Sequence, residues 1–130
     1  MPTAVMLALQ LLGLSPSDLP VVIVDKPPPD LSWAQQQSVK GCVTNGDPAT
    51  EGLIFIAGWQ RAYRDAAKGK RDAVISLAGV LAHERCHLAQ PATWRITKSQ
   101  RIIEGECYDA QQSALDTLGA PLYLKLQVRE

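Results

Sequence analysis

The chain has 130 residues, 46% apolar and 20% charged, a composition that fits one globular domain over residues 1–130 and excludes a disordered polymer. Thirteen basic and thirteen acidic side chains cancel, so nothing in the charge favours a nucleic acid or an anionic membrane as partner.

Ala4 to Leu14 is apolar over a length that suits a signal-peptide core. It lacks a positively charged start and a small-residue cleavage site, so we expect a helix packed on the domain and a cytoplasmic protein, with secretion as the alternative. No segment reaches the apolar length that spans a bilayer. Ser15 to Asp18 forms a turn, and Val21 to Val24 a buried strand. Lys26 to Asp30, with three successive prolines, connects rigidly into a short helix, Leu31 to Lys40, stopped by Gly41. Cys42 to Thr44 and Leu53 to Ala57 are strands around an Asn45-Gly46-Asp47-Pro48 loop. If Leu53 to Ala57 is the edge of the sheet, its free backbone groups pair with an extended peptide; an interior strand is the competing expectation. Gln60 to Lys68 is a further helix, and Lys68 to Arg71 a solvated basic turn after it.

The next helix, Asp72 to Gln90 with Pro91 as its stop, holds both histidines of the chain, in His83-Glu84-Arg85-Cys86-His87. This is HExxH, the zinc-hydrolase signature. Four positions apart on a helix, the imidazoles stand about 40° apart around the axis and about 6 Å apart along it, so both can hold one ion. Glu84 falls on the flank of that stripe, suited to a general base and poorly placed as a ligand. Asp72, Ser76, Gly79, His87 and Gln90 all lie within about 40° of His83, while Val74, Ile75, Leu77, Leu81 and Leu88 take the other faces. A narrow polar and small stripe on an otherwise apolar helix is the expected floor of a cleft. Catalytic zinc takes three protein ligands and keeps a fourth position for water, and with no further histidine the third must come from downstream. Glu104 and Glu106 compete. They are about 200° apart on a helix. Ile103, Cys107, Tyr108, Ala110, Ala114, Leu115 and Leu118 define the apolar side; Glu104 falls within it and Glu106 does not, so phase favours Glu104.

HERCH, a spacer of sixteen residues and Glu104-Gly105-Glu106-Cys107 together resemble the gluzincin metallopeptidases, the thermolysin-like group whose third ligand is a glutamate on the following helix. The likeness is to small bacterial gluzincins with a Glu-x-x-Ala second motif, Cys107 standing where alanine is usual, and it covers roughly Leu53 to Leu118. It implies a zinc-dependent peptidase with a mixed fold, an edge strand above the cleft and the two motif helices packed together. Where such families orient a histidine with an acidic residue four or five positions beyond the ligand, this chain has Tyr108 and Asp109, and the role stays open between them.

Trp94 lies in the Pro91 to Arg101 connection between the two ligand helices, and Tyr108, Tyr63 and Arg95 are candidates to stabilise an oxyanion, among which sequence does not choose. Leu122 to Val128 alternates as a last strand would. Three cysteines, Cys42, Cys86 and Cys107, are too few and scattered for a disulfide framework. Cys86 and Cys107 share the seam between the ligand helices; free buried thiols are the expected state, with a bridge or an inhibitory thiolate on zinc as the alternative.

The element order indicates an α+β, zincin-like domain: a small antiparallel sheet packed against helices, with HExxH on a central buried helix. The expected function is zinc-dependent hydrolysis of a peptide or protein substrate by an endopeptidase-like metallopeptidase, with Zn2+ on His83, His87 and Glu104 and with Glu84 as general base. A zinc-bound interaction or sensing module without catalysis is the other reading, and a metal-free helical binding domain a third.

Overall fold

The structure, a computed structural model, describes residues 2–30, 32, 40–43 and 52–128. Its elements in chain order are α1 (Thr3–Leu11), β1 (Val21–Val24), β2 (Gly41–Val43), β3 (Ile54–Ala57), α2 (Arg61–Ala67), α3 (Arg71–Ala89), α4 (Trp94–Thr97), α5 (Gln100–Thr117) and α6 (Leu122–Leu126). The helix expected at Leu31 to Lys40, the Asn45 to Pro48 loop and Trp33 fall outside the described residues. No helix among those described is long and apolar enough to cross a membrane.

The expected α+β character is present, with one difference in the sheet. Its order is β1-β3-β2, β1 running parallel to β3 (Val21 opposite Ile54) and β2 antiparallel to it (Cys42 opposite Phe55), so the sheet is mixed where an antiparallel one was expected. The long excursion from Val24 to Ile54 returns the chain in the same direction, which parallel pairing requires. This order decides between the two expectations for Leu53 to Ala57 in favour of the interior strand: β3 is hydrogen-bonded on both sides. Its side chains explain the position, since Ile54, Ile56 and Ala57 are all buried and an outer strand would expose some of them. Conversely β1, expected to be buried, is half-exposed, with Val22 38% accessible.

The axis of the molecule is α3. On one side Val74, Leu77, Ala78, Val80 and Leu81 pack in a single cluster with Val5, Ala8 and Leu9 of α1 and with Ile54 and Ile56 of β3. On the other, Ile75 meets Leu115 of α5 and, beyond it, Ala120, Leu124 and Val128. Apolar residues occupy nearly the whole circumference because both sides are covered, which is why the helix shows only a thin polar stripe. Gly69 turns the chain from α2 into α3: at φ +79° its N–H bonds to Ala66 O and the Lys70 N–H reaches Asp65 O, closing the end of α2 in a conformation side chains disfavour. Gly119 ends α5 in the same way, with the Ala120 N–H on Leu115 O, and Pro121 then starts α6. The C-terminal segment, expected as a strand, is therefore helical. Leu124 and Val128, four apart, both face the Leu115 cluster, a spacing that alternation at two residues had masked.

Candidate metal centre

At Gly79 the polar stripe of α3 is a seam against α5, where a cleft floor was expected. Gly79 is the reason. A Cβ there would lie 2.9 Å from Leu115 Cδ2 and 3.2 Å from its Cγ, so the missing side chain lets the two helices close on each other. At the N-terminal end of the stripe, Asp72 accepts a 2.7 Å hydrogen bond from the Tyr123 hydroxyl of α6. At the C-terminal end the seam opens to the histidines.

There α3 and α5 bring together His83, His87 and Glu104, a set of one buried and two half-buried groups with ligand atoms within 4.8 Å of one another. Nε2 of His83 is 3.1 Å from Nε2 of His87, the Glu104 Oε2 is 3.1 Å from His83 Nε2, and Glu104 Oε1 is 3.1 Å from His87 Nε2. Glu106 is exposed on the far side of α5, as its phase required. Ser99 starts α5 by accepting the Ile102 N–H, and the stripe Ile103, Cys107, Gln111 and Leu115, four residues apart, is buried against α3. Glu104 stands beside that stripe and thereby faces the histidines.

The donor chemistry fits a cation. Gln90 Nε2 donates to the Ile103 carbonyl at 2.9 Å, which can only accept, so Gln90 Oε1 is the atom 2.9 Å from His87 Nδ1. It therefore receives an N–H from that nitrogen, and the imidazole tautomer with its proton there has its lone pair on Nε2. The Glu104 carboxylate also offers only lone pairs. A proton on His83 Nε2 donated to its neighbours, or a cation held by all three groups, satisfies the lone pairs that converge here across 3.1 Å. Tetrahedral zinc with bonds of 2.0–2.1 Å sets neighbouring ligand atoms about 3.3 Å apart, close to the spacing found.

Burial and the His87 ring lower the pKa of His83, outweighing the opposing pull of Glu104, so its neutral, metal-binding form is favoured. Its Nδ1 is buried without a hydrogen-bond partner among the described residues, with Gln111 of α5 beside it. The ring of Tyr108 lies against His83, centroids 4.7 Å apart and planes at 60°. Packing is thus the visible role of Tyr108 at this histidine. Gln90 orients His87 through a hydrogen bond, and sequence reasoning placed it on the stripe without giving it a role; its position seven residues from His83 was the available signal.

Glu84, adjacent to His83 on α3, is 6% exposed. Burial first, and the Glu104 carboxylate second, push its pKa up from 4.5 to about 8. Glu84 in turn acts on Cys42 of the outer strand β2, whose thiol is raised by burial and by this neighbour. Tyr63 is not at the site: with Ile56, Leu77 and Val80 it lines an apolar recess between the sheet, α2 and α3. The side chain of Arg95 is outside the described ones.

Cys86 and Cys107 form a disulfide, which corrects the expectation of three free thiols; Cys42 alone is free among the described cysteines. Their Cα atoms are 5.3 Å apart, within the range a bridge requires, and the close approach permitted at Gly79 brings them there. The sulfur of Cys107 is 3.5 Å from His87 Nδ1, on the edge of the ring opposite Nε2, so the alternative of an inhibitory thiolate on the metal is not supported by this arrangement.

Comparison with known proteins found no matching protein family, characterised protein or solved structure.

Proposed function

We propose that the chain is a zinc-dependent peptidase in which His83, His87 and Glu104 hold the metal and Glu84 is the general base. The observation that carries this reading is the convergence of two Nε2 atoms and one carboxylate at 3.1 Å, with a second, buried carboxylate next to them on the same helix. Zinc so held supplies a Lewis acid that polarises a scissile carbonyl and acidifies a water ligand. Glu84 accepts the proton of the attacking water and returns it to the leaving amine, and its low exposure keeps bulk water from competing for that proton. Burial holds Glu84 in its protonated form, and a dication on the adjacent histidines would favour the carboxylate that a general base requires. Gln90 fixes the His87 tautomer so that Nε2 faces the metal.

A peptide substrate that pairs with the sheet does so at β2, the outer strand next to α3 among the described residues, since β3 is occupied on both sides. The apolar recess at Ile56, Leu77 and Val80, one helical turn before Glu84, suits an apolar substrate side chain.

The test is zinc content followed by hydrolysis of a broad peptide library. We expect about one zinc per chain, cleavage abolished by chelation, and no zinc or cleavage after His83→Ala. A zinc-loaded chain that cleaves nothing would leave a metal-binding interaction module in place of a peptidase.

A further inference from the structure

We propose that the Cys86–Cys107 disulfide is a redox clasp on the metal centre: closed, it holds the carboxylate-bearing helix against the histidine-bearing helix in ligand geometry, and reduction releases the site's affinity for zinc. This rests on the metal-binding reading above and adds a regulation to it. The bond joins the two elements that carry the ligands, α3 with His83 and His87 and α5 with Glu104. It does so within one turn of each ligand: Cys86 precedes His87 directly and follows His83 by three, and Cys107 follows Glu104 by three. The tightest approach of this helix pair lies toward its other end, where Gly79 and Ile75 meet Leu115; at the site end the buried Ile103 and the Tyr108 ring on His83 add apolar contact. The first turn of α5 before Ile103 is solvated, with Gln100, Arg101 and Ile102 all exposed; the bridge is the covalent tie at this end, and the hydrogen bond from Gln90 to the Ile103 carbonyl adds to it. Both fastenings touch His87, through the Gln90 Oε1 and through the Cys107 sulfur at 3.5 Å.

The two sulfurs differ in access. Cys107 is fully buried and Cys86 half-buried, so a reductant enters at Cys86. A thiolate of a small dithiol attacks the Cys86 sulfur and the bond to Cys107 breaks, Cys107 leaving as a thiolate that takes up a proton. The second thiolate of the dithiol then displaces Cys86 in the same way. Two electrons and two protons end on the cysteine pair, and the dithiol is left as its own disulfide. Glu104 then approaches the histidines from a helix end free to move away, and the ordering that the bridge had supplied falls on metal binding itself. In a reducing compartment the chain holds zinc weakly, and in an oxidising one tightly.

The experiment measures zinc affinity by competition with a chromophoric chelator on the full chain in a Cys42→Ser background, which leaves this pair as its cysteines. The oxidised protein is compared with protein reduced by dithiothreitol and desalted under nitrogen, with reoxidised protein, and with the Cys86→Ser/Cys107→Ser variant. Reduction should weaken zinc binding at least about tenfold, as loss of ligand-orienting contacts does. Reoxidation should restore the affinity, the double variant should match the reduced form, and the far-ultraviolet circular dichroism should stay unchanged. Equal affinity in the oxidised and reduced forms overturns the clasp and leaves the metal centre standing. Tighter binding on reduction overturns it in favour of thiolate ligation. Loss of helix on reduction makes the bond a support of the whole fold and overturns a local clasp; if the double variant fails to fold, the redox cycle on the cysteine-containing chain still decides. No zinc binding by the oxidised protein overturns the metal reading, and the clasp with it.

Discussion

Glu84→Gln should make the metal-free protein more stable while destroying its catalysis. With its pKa moved from 4.5 to about 8 by burial, Glu84 in the folded, zinc-free chain keeps its proton over a pH window in which the unfolded chain has lost it. The folded state therefore binds more protons there, and stability falls as pH rises from about 4.5 to about 8. At 1.36 kcal/mol per unit, a separation of about 3.5 units corresponds to a ceiling of about 5 kcal/mol, reached only above pH 8. Glutamine has the shape of the protonated acid and no proton to lose. The two proteins should thus be nearly equal at pH 4, and the variant more stable by an amount on the order of 3–5 kcal/mol at pH 9. Urea denaturation in the presence of a chelator, at four or five pH values, measures the difference directly, and other carboxylates cancel because both proteins share them. A pH-independent difference would refute the assignment of Glu84 as a buried, proton-retaining acid. Loaded with zinc, the same variant should keep its metal and lose at least about a hundredfold in peptide hydrolysis; unimpaired hydrolysis would remove Glu84 from the mechanism.

Glu104→Gln should weaken zinc binding far more than Glu106→Gln, measured by chelator competition, because only the former carboxylate meets the histidines; equal losses would contradict the geometry. Gln90→Leu removes both the acceptor for His87 Nδ1–H and the tie to the Ile103 carbonyl, and should cost about tenfold to a hundredfold in zinc affinity with the melting temperature of the chelated protein lowered only a little. Gly79→Val drives a branched side chain into Leu115 at the closest approach of α3 and α5, and should destabilise the chain by about 1–3 kcal/mol in urea and weaken zinc binding with it.

Local patterns disclosed much of this. The histidine spacing, Pro91 and the 3.6-residue phase of the Ile103 stripe define the two ligand helices to within a residue or two, and the phase alone separated Glu104 from Glu106, because these are properties of one helix at a time. What failed depended on partners distant in sequence. Whether Ile54 to Ala57 lies inside or at the rim of the sheet is set by where Val21 and Cys42 pair. The small stripe through Gly79 has the same signature whether it floors a cleft or admits another helix, and Leu115 decides between them. Helix phase put Cys86 and Cys107 in one seam and left a bridge as the alternative to free thiols; how close the helices come decides for the bridge. Gln90 was overlooked because an amide carries no charge signal, although a neutral acceptor suffices to set a histidine tautomer.

The position of α3 between two apolar clusters governs how the molecule breathes. Opening that frees α3 has to disrupt both clusters and so approaches global unfolding, whereas the start of α5, solvated as far as Ile102, detaches at lower cost once the Cys86–Cys107 bond is open. Amide protons of α3 around Leu77 to Leu81 should accordingly be the slowest to exchange, and those of Ile103 and Glu104 much faster. The two histidines thus ride on the firmly anchored helix and the glutamate on the one whose start the disulfide tethers, so the position of the carboxylate depends on that bond as the positions of the imidazoles do not.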